Sequence, residues 1–324
     1  MEATIGSDHN FFHANLNLQS RKVIFLAAVA LCLLPFMSPP LALVLGLIVA
    51  QTIEHPYLHL NHQATNLLLK VSVVGLGFGM NIFSAMQAGK EGVLFTIVSI
   101  FTVLGLGYLV GKWMKIDQKT SFLISAGTAI CGGSAIAALS PVMKAKEKQI
   151  SVALGTIFIL NSFALFIFPV IGHALHLSQT QFGLWCAIAI HDTSSVVGAA
   201  SKYGAVALQV ATTVKLARAL WIIPVAFGTA LIFKTDKAKV TIPYFIGLFI
   251  LAMLANTYLP FVKNLAPYIV GLAKIGLTLT LFLIGSGLSF RVIKAVGAKP
   301  LLQGVFLWIV ISAGALFAIV GLAK

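Results

Sequence analysis

Seven of the eight acids in this sequence, Glu2, Asp8, Glu54, Glu91, Asp117, Glu147 and Asp236, fall in tails or in gaps between apolar runs. The eighth, Asp192, sits inside a long apolar segment, AIAIHDTSSVVGAAS. An ionised carboxylate at bilayer depth costs at least about 2.5 kcal/mol on insertion scales. His191 precedes it and Thr193, Ser194 and Ser195 follow. Such a polar run belongs in a bundle interior or a water-filled cavity. A histidine changes charge between about pH 5 and 8. His191, Asp192, Thr193 and Ser194 are therefore candidates for a proton-coupling group. Neighbouring positions on a helix point about 100° apart, so the two ionisable side chains need not touch. The plainer reading is a polar knot that hydrogen-bonds adjacent helices.

A second charged pair lies in VKLARALWIIP. Lys215 and Arg218 are three apart and share one helix face. Either they snorkel to the membrane surface, or they form a buried basic pair that neutralises Asp192 or binds an anion. The guanidinium fork suits oxyanions, because it donates two parallel hydrogen bonds.

The third signal is GTAICGGSAIAALSP, Gly127 to Pro141. Each glycine in a helix interior costs about 1 kcal/mol relative to alanine, and Gly132-Gly133 invites the helix to open. A half-helix that begins there presents free N–H groups and a positive dipole end, a ready anion site. Cys131, Gly132, Gly133 and Ser134 are candidate substrate-binding residues, with Ser134 as N-cap or direct donor. The same argument applies to Gly285, Ser286 and Gly287 in IGSGLS. Close helix packing is the alternative, since small residues let membrane helices approach, and Gly75, Gly77 and Gly79 read that way.

No carboxylate pair, Ser-His-Asp set or zinc spacing occurs within one membrane depth. His173 and His176 form a loop pair that we discount. Cys32, Cys131 and Cys186 make no disulfide framework. No metal, cofactor or enzymatic activity is expected.

The elements that must hold these residues are membrane helices. The chain has 324 residues, 59% hydrophobic and only 9% charged, with a mean hydropathy of +1.00. Soluble domains carry about 25% charged residues, so composition excludes a soluble protein. The net charge of +14 does not point to nucleic acid, because the lysines cluster in short gaps between apolar runs, as membrane-face anchors do. Residues 1–20 read as a polar tail, and 21–324 as one integral membrane domain with an uncleaved first helix.

About eleven apolar segments follow: 22–37, 41–53, 66–88, 92–113, 120–143, 147–171, 181–201, 205–233, 241–259, 267–291 and 300–323. The first two read as a tight hairpin or one broken helix, and Glu54 to Asn66 as an interfacial stretch. Segments two to six and seven to eleven make two sets of five, which an odd count would insert in opposite senses. That division pairs the fifth segment, with CGGS, to the tenth, with IGSGLS. GFGM, Gly77 to Met80, matches GSGL, Gly285 to Leu288, equally well. The lysine and arginine count favours an N-terminus inside the cell, but Lys144, Lys146 and Lys148 then fall on the outer side. Should 120–143 not cross fully, that assignment changes.

AGTAICGGSAIAALSPVMKAKEK, AIHDTSSVVGAA and VKLARALWIIPV together resemble the YeiH family, described as sulfate exporters, over most of the chain from about residue 22. That family is distantly similar to bile-acid and cation–proton antiporter-type transporters. The resemblance implies two inverted five-helix repeats, with crossed discontinuous helices at the substrate site. Ala129 to Ala135 would be one break and the tenth segment its partner. It also implies a small anion as substrate and a bacterial inner membrane as location. The sequence departs from the cation-coupled relatives in lacking an acid in CGGS or IGSGLS, which argues against sodium or proton coupling of their kind.

The resulting expectation is an all-α polytopic membrane protein that carries a sulfate-, sulfite- or sulfonate-like anion by alternating access. Its partners would be the anion and the lipid bilayer, with a homo-oligomer left open and no nucleic acid. The rivals are a sodium- or proton-coupled organic-acid transporter using Asp192, and a membrane-embedded enzyme using His191 and Asp192.

Overall fold

The computed structural model describes residues 17–34, 36–53, 55–233, 244–288, 294 and 296–322. Most of the polar start of the chain lies outside these residues, as do Glu54, Asp236, Ser289, Arg291 and the lysines at 234, 237 and 239. The described residues are helical, with no strand among them. In chain order the helices are α1 (Leu18–Cys32), α2 (Pro39–Thr52), α3 (Leu58–Gly77), α4 (Ile82–Trp113), α5 (Gln118–Ala129), α6 (Gly133–Val142) and α7 (Glu147–Ala174). Then come α8 (Gln179–Ala189), α9 (Thr193–Tyr203), α10 (Ala205–Ala219), α11 (Ile222–Ile232), α12 (Tyr244–Tyr258), α13 (Pro260–Gly287) and α14 (Ala298–Leu322).

Among the described residues five stretches are long and apolar enough to cross a membrane: Gly92–Trp113, Glu147–Ala174, Ala205–Ile232, Pro260–Gly287 and Ala298–Gly321. Their exteriors are apolar, with Leu231 81% and Phe317 83% exposed. A surface of that kind is stable against hydrocarbon and not against water.

Several boundaries differ from the sequence reading. The first two segments form two helices packed on each other, the hairpin of the two readings the sequence left open; Pro39 and Pro40 occupy the first turn of α2, where proline costs no hydrogen bond. The polar stretch after Ile53 supplies the start of α3. There Asn61 Nδ2 donates to Leu283 O at 3.0 Å, and His55 Nε2 lies 3.1 Å from Ser286 Oγ on α13. The break expected near residues 89–91 falls instead at Phe78–Asn81, where Asn81 caps α4 by accepting from the Phe83 amide.

The larger correction concerns the segments 120–143 and 181–201, read as full crossings. Both turn back. Lys119, at the start of α5, donates from Nζ to Lys144 O just beyond α6 at 2.9 Å. Gln149 at the start of α7 donates to Asp117, the N-cap of α5, at 2.7 Å. The beginnings of α5 and α7 and the end of α6 therefore share one end of the bundle. Along the hairpin Leu123, Ile124, Ala126, Ile136, Leu139 and Val142 pack into one cluster.

The second hairpin repeats this at the opposite end. Tyr203, closing α9, donates its hydroxyl to Gly172 O and Leu177 O at the far end of α7, at 3.0 and 2.7 Å. Gln179, opening α8, accepts from the Val206 amide at the start of α10 at 2.9 Å. Helix α7 spans from the base of one hairpin to the base of the other.

The helices sort into two bodies. One contains α1, α2, α3, α12 and α13, the other α4 to α11 and α14. They meet mainly where α9 lies on α13, α4 on α12, and α2 on α7 and α9. Within the first body α2 and α13 are nearly in backbone contact. A Cβ on Gly46 would overlap the Phe282 carbonyl and come within 2.8 Å of the Ser286 amide nitrogen.

Single cysteines introduced at Lys119 and Lys146 should react with an impermeant maleimide from the same side of sealed vesicles, and a cysteine at Lys202 from the other. The native cysteines are buried and should stay silent. Labelling of 119 and 146 from opposite sides would mean that 118–142 crosses.

Candidate functional site

The two hairpin tips meet. Gly132 sits between α5 and α6 at φ +64°, in the left-handed region that favours glycine. A Cβ there would stand 3.2 Å from the His191 carbonyl oxygen, at the turn between α8 and α9. Gly132 is thus fixed by both conformation and space. Gly133 is not, since a methyl there would make ordinary contact with Leu154 and Phe158 at 3.4 Å.

Each tip interrupts a helix in a membrane interior, so each exposes carbonyls on one side and amides on the other. Lys215 and Arg218 on α10 serve the carbonyl ends. Lys215 Nζ donates to Ile190 O at 2.5 Å and to Ala187 O at 3.3 Å, at the end of α8. Arg218 spans both hairpins, with Nε donating to Ala129 O of α5 at 2.6 Å and Nη1 to Ile188 O of α8 at 3.1 Å. Both residues are 0% exposed, so neither snorkels. Their spacing of three aims them at one place, as the sequence indicated, but what they meet first is backbone. The charges also oppose the negative dipole ends of α5 and α8.

Asp192 serves an amide end. Oδ1 accepts from Ser194 N and Oγ at 3.0 and 3.1 Å, and Oδ2 from Ser195 N and Oγ at 3.1 and 2.8 Å. This is an N-cap that places a carboxylate on the positive end of α9. The HDTSS run is therefore where a helix begins rather than the inside of a span, and Thr193 is its first helical residue.

Four helix ends converge on the tips, and three carry a side chain of opposite charge. The fourth, the amide end of α6, does not. Its N-cap is Gly132, and no side chain caps it. Ser134, in the first turn of α6, is exposed.

Around the tips lie buried polar atoms without a partner among the described residues: the donors Arg218 Nη2 and Asn161 Nδ2, the His191 ring, of which a neutral imidazole donates from one nitrogen and accepts at the other, and the Thr128 hydroxyl. Asn161 on α7 is tied to the tips through its Oδ1, which accepts from the His191 amide at 3.1 Å. Thr128 adjoins Ala129, whose carbonyl holds Arg218. Unsatisfied buried polar atoms are rare in native proteins and each calls for an account.

Gly285, Ser286 and Gly287 do not join this centre. Helix α13 runs unbroken to Gly287, so no amide end opens there. Gly285 is pressed against Leu43 O and Leu47 N of α2. Ser286 donates to Leu283 O at 2.9 Å, and a Cβ on Gly287 would meet Asn61. Packing explains this triplet, and the partner of the 130–132 break is residues 190–192.

Asn161 and Thr128 were not singled out from the sequence. A lone amide within FILNSFALF carries the same intramembrane-polar signal that marked Asp192. Thr128 carries none, because membrane threonines commonly bond their own helix, as Thr156 does to Val152 O at 2.9 Å.

Long apolar spans, two buried-tip hairpins and an interior charged cluster define an α-helical integral membrane protein. The chain belongs to the family described as conserved hypothetical protein 698, whose model matches residues 22–304. It is 59% identical over 279 residues to a UPF0324 membrane protein of Bacteroides thetaiotaomicron, covering 86% of this chain and 84% of that one. A UPF0324 membrane protein of Porphyromonas gingivalis is 53% identical over 285 residues, covering 87% and 86%. One from Photobacterium profundum is 49% identical over 308 residues, covering 95% and 94%. No solved structure matches.

Asp192→Ala should lower stability by about 0.5–2 kcal/mol through loss of the cap, read as a lower melting temperature in detergent, and Asp192→Asn by less. Arg218→Met orphans two buried carbonyls at about 1–3 kcal/mol each, so its melting temperature should fall further than that of Asp192→Ala.

Proposed function

We propose that this protein is a secondary transporter of a small oxyanion, of the sulfate, sulfite or sulfonate kind, working by alternating access. The observation that carries the reading is the open amide end of α6 among buried, partnerless donors. An anion at Gly133–Ser134 would face the free amides of the first turn and the positive dipole end. It would also give Arg218 Nη2 and Asn161 Nδ2 the acceptor that each lacks. Cys131 and Gly132 would form its floor, and Lys215 would add positive potential from behind the backbone. His191, buried between the tips, would link occupancy to protons, with Asp192, Thr193 and Ser194 holding the turn that carries it.

The carbonyl ends of α5 and α8 bear on the sodium-coupled alternative. Backbone carbonyls at half-helix ends are what a sodium site uses, and here Ala187, Ala129, Ile188 and Ile190 already accept from Lys215 and Arg218. An anion needs donors, and donors are what this centre leaves over.

The chain supports an inverted pair of a shorter kind than five crossing helices. A hairpin followed by a 28-residue span occurs twice: α5–α6 with α7, and α8–α9 with Ala205–Ile232. The two hairpins enter from opposite ends, as inverted units do. Their return also bears on orientation. Lys112, Lys115, Lys119, Lys144, Lys146, Lys148 and Lys299 now gather at one end of the bundle, leaving Lys202, Lys263 and Lys274 toward the other. That asymmetry favours a cytoplasmic lysine-rich end in a bacterial inner membrane.

The test is thermal stability and radiolabelled uptake of the purified protein in liposomes, across sulfate, sulfite, methanesulfonate, a carboxylate and sodium. A ligand that binds only the folded state adds about 2.7 kcal/mol at a hundredfold excess over its Kd. Asn161→Asp keeps the acceptor for the His191 amide but replaces a donor by negative charge. It should fold and lose both the anion response and uptake. A response to sodium alone, or an anion response intact in Asn161→Asp, would overturn the reading.

A further inference from the structure

At the lysine-rich end of the bundle a cavity of about 790 Å³ opens between α4, the start of α5 and the end of α11. It is separate from the hairpin tips. Its walls are mostly apolar and aromatic, with Phe101, Leu104, Phe122 and Phe233, and Ser121 and Ser125 on the α5 side. Phe122 and Phe233 meet edge to face, with ring centroids 5.8 Å apart. Its mouth carries Lys112 and Lys115, with Tyr108 between depth and mouth.

Among the described residues no acid lines this cavity. Asp117, the nearest in sequence, has Oδ1 engaged by the Thr120 amide and hydroxyl at 3.0 Å each and by Gln149 at 2.7 Å. Neither lysine has a partner among the described residues, whereas Lys119 beside them is bound to Lys144 O. The cavity thus sets two ammonium groups, unpaired among the described residues, beside a mostly apolar slot. The rise of α4 from Phe101 to Lys112 is about 17 Å, close to half of a hydrocarbon core of about 30 Å. A headgroup at the lysines and an acyl chain along Phe101 would match it in both charge and length.

We propose that this cavity is a binding site for an anionic phospholipid, with its phosphate between Lys112 and Lys115 and one acyl chain against Phe101, Leu104 and Phe122. Zwitterionic lipid covers the same apolar wall but leaves the two charges uncompensated. Basic pockets between membrane helices on the cytoplasmic side recognise lipid phosphates in this way. Because α5 forms one wall, the lipid would brace the base of the first hairpin. The assignment does not depend on what the tips bind.

The experiment is native mass spectrometry of the full chain released from micelles, titrated with phosphatidylglycerol, phosphatidylcholine or glycerol 3-phosphate. Phosphatidylglycerol should be retained at least fivefold better than phosphatidylcholine. Lys112→Gln/Lys115→Gln should bring the two lipids to parity, while Lys202→Gln/Lys263→Gln at the far end should keep the preference. Gly105 lines the cavity and a Cβ there meets nothing within 4 Å. Gly105→Phe should therefore fill the slot and weaken lipid retention with both lysines in place. A preference unchanged in the double lysine variant would overturn the proposal. Glycerol 3-phosphate retained as well as phosphatidylglycerol would also overturn it, making the site one for free phosphate.

Discussion

A helix that stops in the middle of a membrane leaves backbone groups that neither water nor lipid can satisfy, and the hydrogen bonds from α10 to the two hairpin tips answer that constraint. Lys215 and Arg218 hold four carbonyls belonging to α5 and α8 and their turns. Arg218 bonds to both hairpins at once, so neither tip can shift without breaking a charge-assisted bond at the other. Two half-depth hairpins that would be costly alone are thereby locked into one unit. Asp192 completes the arrangement from within its own turn. The local charges follow from the directions of the helix ends: cations where carbonyls point inward, an anion where amides do.

The same logic separates structural from functional charge. A buried arginine, lysine and aspartate read from sequence as a substrate or coupling set. In place, most of their hydrogen-bonding capacity is spent on backbone. What remains is one guanidinium nitrogen, an asparagine amide, an imidazole, the Thr128 hydroxyl and an uncapped helix start. That residue of unspent donors is smaller than the polar inventory of the sequence but more specific, because every member is a donor or, in the imidazole, can become one.

The sequence made the membrane class, the glycine break at 132 and the inward face of Lys215 and Arg218 legible, since each is a local signal: composition, a residue type, a spacing of three. It did not disclose that 118–142 and 179–203 turn back. A hairpin of 12 and 10 residues has the same apolar length as one crossing helix, and periodicity cannot tell them apart. The misplaced lysines at 144, 146 and 148 were the one trace of it. The partner of the glycine break was missed because glycine was sought on both sides. The second tip instead breaks at Ile190-His191-Asp192, where a cap rather than a glycine starts the next helix. Gly285 was overvalued for the same reason: glycine marks both opened backbone and helices in close contact, and only the neighbouring Gly46 decides which.

The division of the helices into two bodies has a consequence for how cargo could be moved. Both tips, and α7 and α10 that hold them, lie in one body, and no residue of the partnerless cluster comes from the other. If the tips bind an anion as proposed, that pocket would be carried past a stationary neighbour as freight on a lift, without being dismantled and rebuilt at each stop. Its affinity would then be the same at either landing. The α2–α13 pair, joined glycine to glycine with no side chains between to flex, would be the shaft wall.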